Sequence, residues 1–165
     1  MILIALGANL TGPYGSPEET LKMAMVTLEN AGVHIVAKSS IWVTKPVPAS
    51  DQPLYRNAVV AVHTKRAASA LLDLLHTIEA DFGRVRMERN EARVLDLDLI
   101  AYGNLVIQSE DIYIPHPRMH ERGFVLVPLC EIGACWTHPV LQKTAEELLA
   151  MLPDQNDIHP VSAAA

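Results

Sequence analysis

From Val94 to Ile100 the chain reads Val-Leu-Asp-Leu-Asp-Leu-Ile, a strict alternation that a β-strand sorts onto two faces. Leu95, Leu97 and Leu99 then point to an apolar layer. Asp96 and Asp98 share the opposite face, with Cβ atoms roughly 6–7 Å apart. Two like charges at that spacing weaken a strand, or raise the pKa of one of them, unless a cation lies between them. Such a segment belongs in a sheet with a core on one side and a polar site on the other.

The chain has 165 residues, half of them apolar, enough for one domain with a single core. We place that domain at residues 1–153 and expect 154–165 to be a flexible tail. The net charge of −6 argues against a nucleic-acid or membrane-surface partner. The basic residues are concentrated all the same. Arg84, Arg86, Arg89, Arg93, Arg118 and Arg122 make up six of the eight arginines and fall within positions 84–122. Cys130 and Cys135 form no CxxC pair and suggest neither a disulfide framework nor a zinc site. No apolar run reaches about 18 residues, and Met1–Leu6 lacks the basic flank of a signal peptide. The expectation is a soluble, cytoplasmic monomer.

The periodicities suggest an element order. Met1–Leu6 is a continuous apolar run, the pattern of a buried central strand, and ends at Gly7. Ser16-Pro17-Glu18-Glu19 combines an N-cap, a proline at the first helical position and a capping-box glutamate, and the helix it starts runs to Gly32. Val33–Thr44 is rich in β-formers, and Asn57–Thr64 alternates as its partner. The loop between them carries Pro46, Pro48 and Pro53. Leu71, Leu72, Leu75, Ile78 and Phe82 are spaced as a second helix, stopped by Gly83. With the Asp-bearing strand the order is β-α-β-β-α-β. This predicts an α+β, ferredoxin-like antiparallel sheet with helices packed on one face. A C-terminal extension follows, with short strands near Val106 and Ile112, a helix over about 123–132, and another capped by Thr144 and Glu147.

Gly7-Ala8-Asn9-Leu10-Thr11-Gly12 lies between strand and helix, but Pro13 and Tyr14 stand where a P-loop needs Lys and Ser or Thr. The Walker reading fails, and the glycines read as turn residues. For Asp96 and Asp98 the bland reading is a solvated edge strand. Burial implied by the flanking leucines, the rarity of Asp in strands and the neighbouring arginines favour a hard cation such as Mg²⁺. The arginines of 84–93 are either an exposed self-neutralising loop or a clamp on phosphate oxygens. His116 and His120 are four apart, yet Pro115 and Pro117 preclude the helix on which such a pair would bind zinc. Tyr55 and Phe124 are either core aromatics or the walls of a ring-binding site.

Five segments in order carry a family resemblance: Gly7-Ala8-Asn9-Leu10, Tyr55-Arg56-Asn57-Ala58-Val59, Glu79 with Phe82-Gly83-Arg84-Val85-Arg86, Arg93–Ile100, and Ile114-Pro115-His116 through Arg122-Gly123-Phe124. Together they resemble the 6-hydroxymethyl-7,8-dihydropterin pyrophosphokinases of folate biosynthesis. The resemblance implies transfer of pyrophosphate from ATP to the pterin hydroxymethyl group, with AMP as the other product. It implies that Asp96 and Asp98 hold two Mg²⁺ ions, that Arg84 and Arg93 act on the phosphates around the transition state, and that Arg86, Arg89, His116 and Arg122 bind ATP. The pterin would stack between Tyr55 and Phe124 and be read by Asn57 and by backbone near Thr44 and Val47. Glu79 lines the site in the family. The chain departs from some members in having Asn90-Glu91-Ala92 before Arg93 in place of Trp-Gly-Pro, and His76 in place of a glutamine. Two other classes fit the sequence less well. A non-catalytic nucleotide or pterin binder would keep the fold without the intact Asp pair, and an RNA-binding module would need a basic, aromatic sheet face that the sequence lacks.

Overall fold

The computed structural model describes residues 1–84, 92–153, 155 and 157–161. The expected first helix is α1 (Pro17–Asn30), with the reciprocal capping box between Ser16 and Glu19 in place. It follows β1 (Ile2–Ala8), which runs two residues past the expected stop because Gly7 is a strand residue and not a turn. The β-rich stretch after α1 divides into β2 (His34–Lys38) and β3 (Trp42–Thr44), and both pair antiparallel with the long β4 (Tyr55–His63). The break falls at Ser39. Its amide donates to the Val59 carbonyl, and its Oγ accepts from Val59 N–H at 3.0 Å, so a side chain replaces a ladder bond there. Next come α2 (Ala68–Asp81) and the Asp-bearing β5 (Asp96–Tyr102).

The sheet runs β5-β1-β4-β3, every pair antiparallel, with β2 also on β4. Its two faces are both covered. Ile4, Leu6, Ala58, Val60, Leu95, Leu97 and Leu99 pack against Leu21, Ala24 and Leu28 of α1 and Leu71, Leu75 and Ile78 of α2. The other face, with Leu3, Val59, Ala61, Ile100 and Ala101, receives α3 (Gly123–Gly133) and α4 (Ala145–Ala150), the latter capped by Thr144 and Glu147 as expected. Helices on one face were expected, and the extension supplies them to the second. The continuous apolar run of β1 is the reason, because Leu3 and Ile4 point to opposite sides and both are fully buried.

The short strands fall as a hairpin, β6 (Ile107–Gln108) with β7 (Tyr113–Ile114), followed by a 3₁₀ turn over Met119–Glu121. Within the stretch read as a tail, β8 (His159–Pro160) pairs with Trp42 and Val43 of β3, and Val161 N–H donates to the Ile41 carbonyl. Among the described residues no helix is long and apolar enough to cross a membrane.

Leu75 of α2 is fully buried and packs in the core between helix and sheet, outside the lining of the site. Leu75→Ala is expected to lower the unfolding free energy by roughly 2–5 kcal/mol in a urea titration, with binding constants below the unfolding transition unchanged.

Candidate active site

The antiparallel register lines up Asn57 of β4, Gly7 of β1 and Asp96 of β5 across three adjacent strands, and then Val59, Ala5 and Asp98 one step further along. Period-two alternation therefore places Asn57, Asp96 and Asp98 on one face, at the end that α3 and α4 leave open. Trp42 and Thr44 of β3 pair with Asn57 and Tyr55 and extend the row. Gly7 is the floor of this arrangement. A Cβ built there would lie 2.9 Å from Asn57 Oδ1 and 3.9 Å from Asp96 Cβ, so glycine is what lets the amide and the carboxylate lie beside β1.

Asp96 is held by two arginines. Arg84 Nη1 reaches its Oδ1 at 2.5 Å and Arg93 Nη1 its Oδ2 at 2.7 Å. The same Nη1 of Arg84 also pairs with Glu79, a carboxylate only 2% exposed. Glu79 has a second duty. β5 is an edge strand, so the outward N–H of Leu97 has no strand to pair with, and Glu79 Oε1 accepts it at 2.7 Å. Sequence reasoning left the role of Glu79 open. The structure makes it the joint between α2, Arg84 and the Asp-bearing strand.

Asp98 is treated differently. Among the described residues it pairs with Arg122, Nη1 to Oδ2 at 3.7 Å, a weak contact. Burial, followed by the neighbouring Asp96 charge, pushes its carboxyl up to about 7. Burial also lowers the pKa of Arg122, which Asp98 partly restores. For Arg93 burial works against the charge, but Asp96 and Tyr55 outweigh it and the net shift is upward. His116 is pushed down to about 4 by burial and by Arg122, so it is neutral near pH 7. Its Nδ1 accepts from Arg118 N–H at 3.1 Å, which leaves the proton on Nε2 and makes that nitrogen a donor.

An open cleft lies over this row, lined by apolar and aromatic side chains with a few convergent polar groups. Thr44, Val47, Tyr55, Asn57 and Phe124 line it on one side, with Arg93, Asp96 and Arg122 on the other. Asn57 Nδ2 donates to Thr44 Oγ1 at 2.7 Å, which fixes the amide plane. Arg122 lies over the Phe124 ring, 5.4 Å from its centroid, so that aromatic is braced by a cation. Desolvation raises the Tyr55 hydroxyl pKa and keeps it protonated. Of the thirteen positions expected to act, Arg86 and Arg89 lie outside the described residues, and the rest gather around this cleft and its Asp edge. His120 is turned away, its ring 6.1 Å from that of His138. Sequence reasoning missed Gln52, which lines the cleft, and Asn9, which is buried behind it. In the sequence, Asn9 stood out only as part of the Gly7-Ala8-Asn9-Leu10 segment of the family resemblance.

The donor set suits a hard divalent ion. Among the described residues no group of three or more His, Cys, Asp or Glu is placed to enclose a metal, and two carboxylates are what Mg²⁺ takes when water and phosphate complete its shell. The raised Asp98 records the charge such an ion would balance. A carboxyl whose folded pKa lies above its unfolded value lends stability at low pH, and that stability is lost as pH rises from about 4 towards 7. Asp98→Asn removes the loss, so its gain in Tm over the wild-type protein should be small at pH 5 and largest above pH 7 in metal-free buffer, as followed by calorimetry.

Comparison with known proteins identifies the family. Residues 3–134 match the family model for 7,8-dihydro-6-hydroxymethylpterin-pyrophosphokinase (HPPK). The chain is 47% identical over 131 residues to the 2-amino-4-hydroxy-6-hydroxymethyldihydropteridine pyrophosphokinase of Haemophilus influenzae, covering 79% of this chain and 80% of that one. The protein of the same name from Bacillus subtilis is 40% identical over 130 residues (78% and 75% covered). Among solved structures, the Plasmodium falciparum HPPK-DHPS wild type with pteroate superposes with a TM-score of 0.70 at 13% identity, over 90% of this chain and 43% of that one, and so speaks for the fold. With a family model spanning most of the sequence and a relative near half identity, the chain belongs to the 7,8-dihydro-6-hydroxymethylpterin pyrophosphokinases.

Proposed function

We propose that the cleft binds ATP and 6-hydroxymethyl-7,8-dihydropterin side by side and that the Asp96–Asp98 edge is where pyrophosphate changes hands. The chain is a pyrophosphokinase of folate biosynthesis. What carries the assignment of its parts is the register that puts an aromatic, amide-bearing pocket and a carboxylate pair with arginines on one sheet face. We read the β5-β1-β4-β3 order, with β2 and β3 as one interrupted strand, as the ferredoxin-like arrangement. We read residues 1–153 as one domain acting as a cytoplasmic monomer.

In this reading the pterin ring lies between Tyr55 and Phe124. Its hydrogen-bonding edge faces Asn57 and the backbone near Thr44 and Val47. Asn57 already gives one amide proton to Thr44, so its carbonyl oxygen and second proton remain for the ring. A ring without the matching edge would leave buried polar atoms unpaired, and this is the basis of selection. Asp96 and Asp98 would hold two Mg²⁺ ions, which supply Lewis-acid neutralisation of the phosphate charge when bound. Arg84 and Arg93 neutralise Asp96 in the free protein and are the cations able to turn to phosphate oxygens during transfer. Arg122, with Arg86 and Arg89, adds positive charge for ATP, and neutral His116 offers its Nε2–H. The hydroxymethyl oxygen attacks the β-phosphorus in line and releases its proton to solvent, the bond from that phosphorus to the oxygen bridging it to the α-phosphate breaks, and AMP departs. Little covalent work falls to the protein. Alignment and charge are its contributions.

Incubation with both substrates and Mg²⁺ is expected to give AMP stoichiometric with pterin diphosphate by ion-exchange chromatography; ADP or inorganic phosphate without AMP would refute pyrophosphoryl transfer. Asp96→Asn should retain the far-ultraviolet spectrum and lose turnover by about 10²-fold or more. Gly7→Ala, which drives a methyl into Asn57 Oδ1, should raise the pterin KM by about tenfold and leave the ATP KM within a factor of about two in steady-state assays.

A further inference from the structure

Asn9 is only 2% exposed, and each polar group of its side chain has a partner on a different segment of the site. Its Oδ1 accepts from the backbone N–H of Arg93 at 2.8 Å. Its Nδ2 donates to Gln52 Oε1 at 3.2 Å and to the Pro53 carbonyl at 3.1 Å. The Asn9 and Leu10 amides both return to the Arg93 carbonyl, at 3.0 and 3.2 Å. A second path joins the same two segments. Gln52 Oε1 also accepts from the Tyr55 hydroxyl at 3.3 Å, and that hydroxyl is hydrogen-bonded to Arg93 as well. Asn9, Gln52, Tyr55 and Arg93 thus close a ring of hydrogen bonds in which one residue faces the pterin pocket and another grips Asp96.

From this we infer that Asn9 is a positioning residue that locks the 45–54 loop of the pterin pocket to the main chain of Arg93, so that the ring pocket and the phosphate-side arginine are set as one unit. The inference rests on the reading of the two subsites given above. Asparagine is suited to the task because its amide presents one acceptor and two donors in a single rigid plane. Here the acceptor serves the arginine side and both donors serve the loop side. No isosteric residue does both. Aspartate keeps the acceptor for Arg93 N–H but turns two attractive contacts with Gln52 Oε1 and the Pro53 carbonyl into repulsions. Alanine removes both halves and leaves the Arg93 amide without its partner.

The two substitutions therefore separate the halves. Steady-state kinetics with both substrates, below the unfolding transition, should show Asn9→Ala lowering kcat about tenfold or more and raising the pterin KM by a similar factor. Asn9→Asp should raise the pterin KM as much while keeping kcat within about threefold of wild type. Amide hydrogen exchange on the ligand-free proteins reads the same division without turnover, and so separates a failure of this inference from a failure of the functional reading. Exchange at Arg93 should quicken at least about tenfold in Asn9→Ala and stay near wild type in Asn9→Asp, whereas the 49–54 segment should quicken in both. Wild-type kinetic constants and wild-type exchange in a folded Asn9→Ala would overturn the inference, as would an Asn9→Asp that loses Arg93 protection and kcat as far as Asn9→Ala does. If Asn9→Ala does not fold, the exchange pattern of Asn9→Asp alone decides: protection kept at Arg93 and lost at 49–54 supports the lock, and any other pattern overturns it.

Discussion

The pairing of β1 with both β4 and β5 is the contact on which the rest of this molecule depends. It places Gly7 between Asn57 and Asp96, so one residue without a side chain joins a ring-reading amide to a phosphate-side carboxylate. It also puts Leu3 and Ile4 on opposite sides, which obliges the protein to cover both faces of the sheet. Because α3 and α4 cover only part of the second face, its uncovered end becomes the cleft. Fold and site are two results of the same strand register.

The electrostatics of the cleft are built from unequal partners. Among the described residues Asp96 has two arginines within hydrogen-bonding distance, while Asp98 pairs with Arg122 at 3.7 Å. Carboxylates two residues apart would be expected to share their burden evenly, but burial and Asp96 itself leave Asp98 poised near neutrality. Such an imbalance destabilises the empty protein and favours whatever positive charge arrives. Stability given up at a site in this way is regained on binding, since only the folded chain offers it.

Behind the cleft, polar side chains do what secondary structure leaves undone. Glu79 satisfies the free edge of β5 and holds Arg84, Ser39 bridges the gap between β2 and β3, and Asn9 joins two loops to the end of β1. Glu131 belongs to the same group, accepting from Ser40 N–H and from Trp42 Nε1 and so tying α3 to β3. Each is local in consequence and distant in sequence from what it supports.

That separation marks the limit of what the sequence determined by itself. The alternation through Asp96-Leu97-Asp98, the capping boxes at Ser16 and Thr144 and the apolar spacing of α2 are short-range patterns, and period and propensity suffice to read them. The ordered motifs likewise carried the family and hence the reaction. The tertiary structure alone decided that Gly7 is a strand floor and not a turn, that helices cover both faces, that β8 joins β3, and that Asn9 and Gln52 link the two halves of the cleft. The physical reason is that these outcomes depend on which strand neighbours which. A hydrogen bond between Asn9 and Gln52 spans 43 positions, and nothing in local periodicity records a partner that far away.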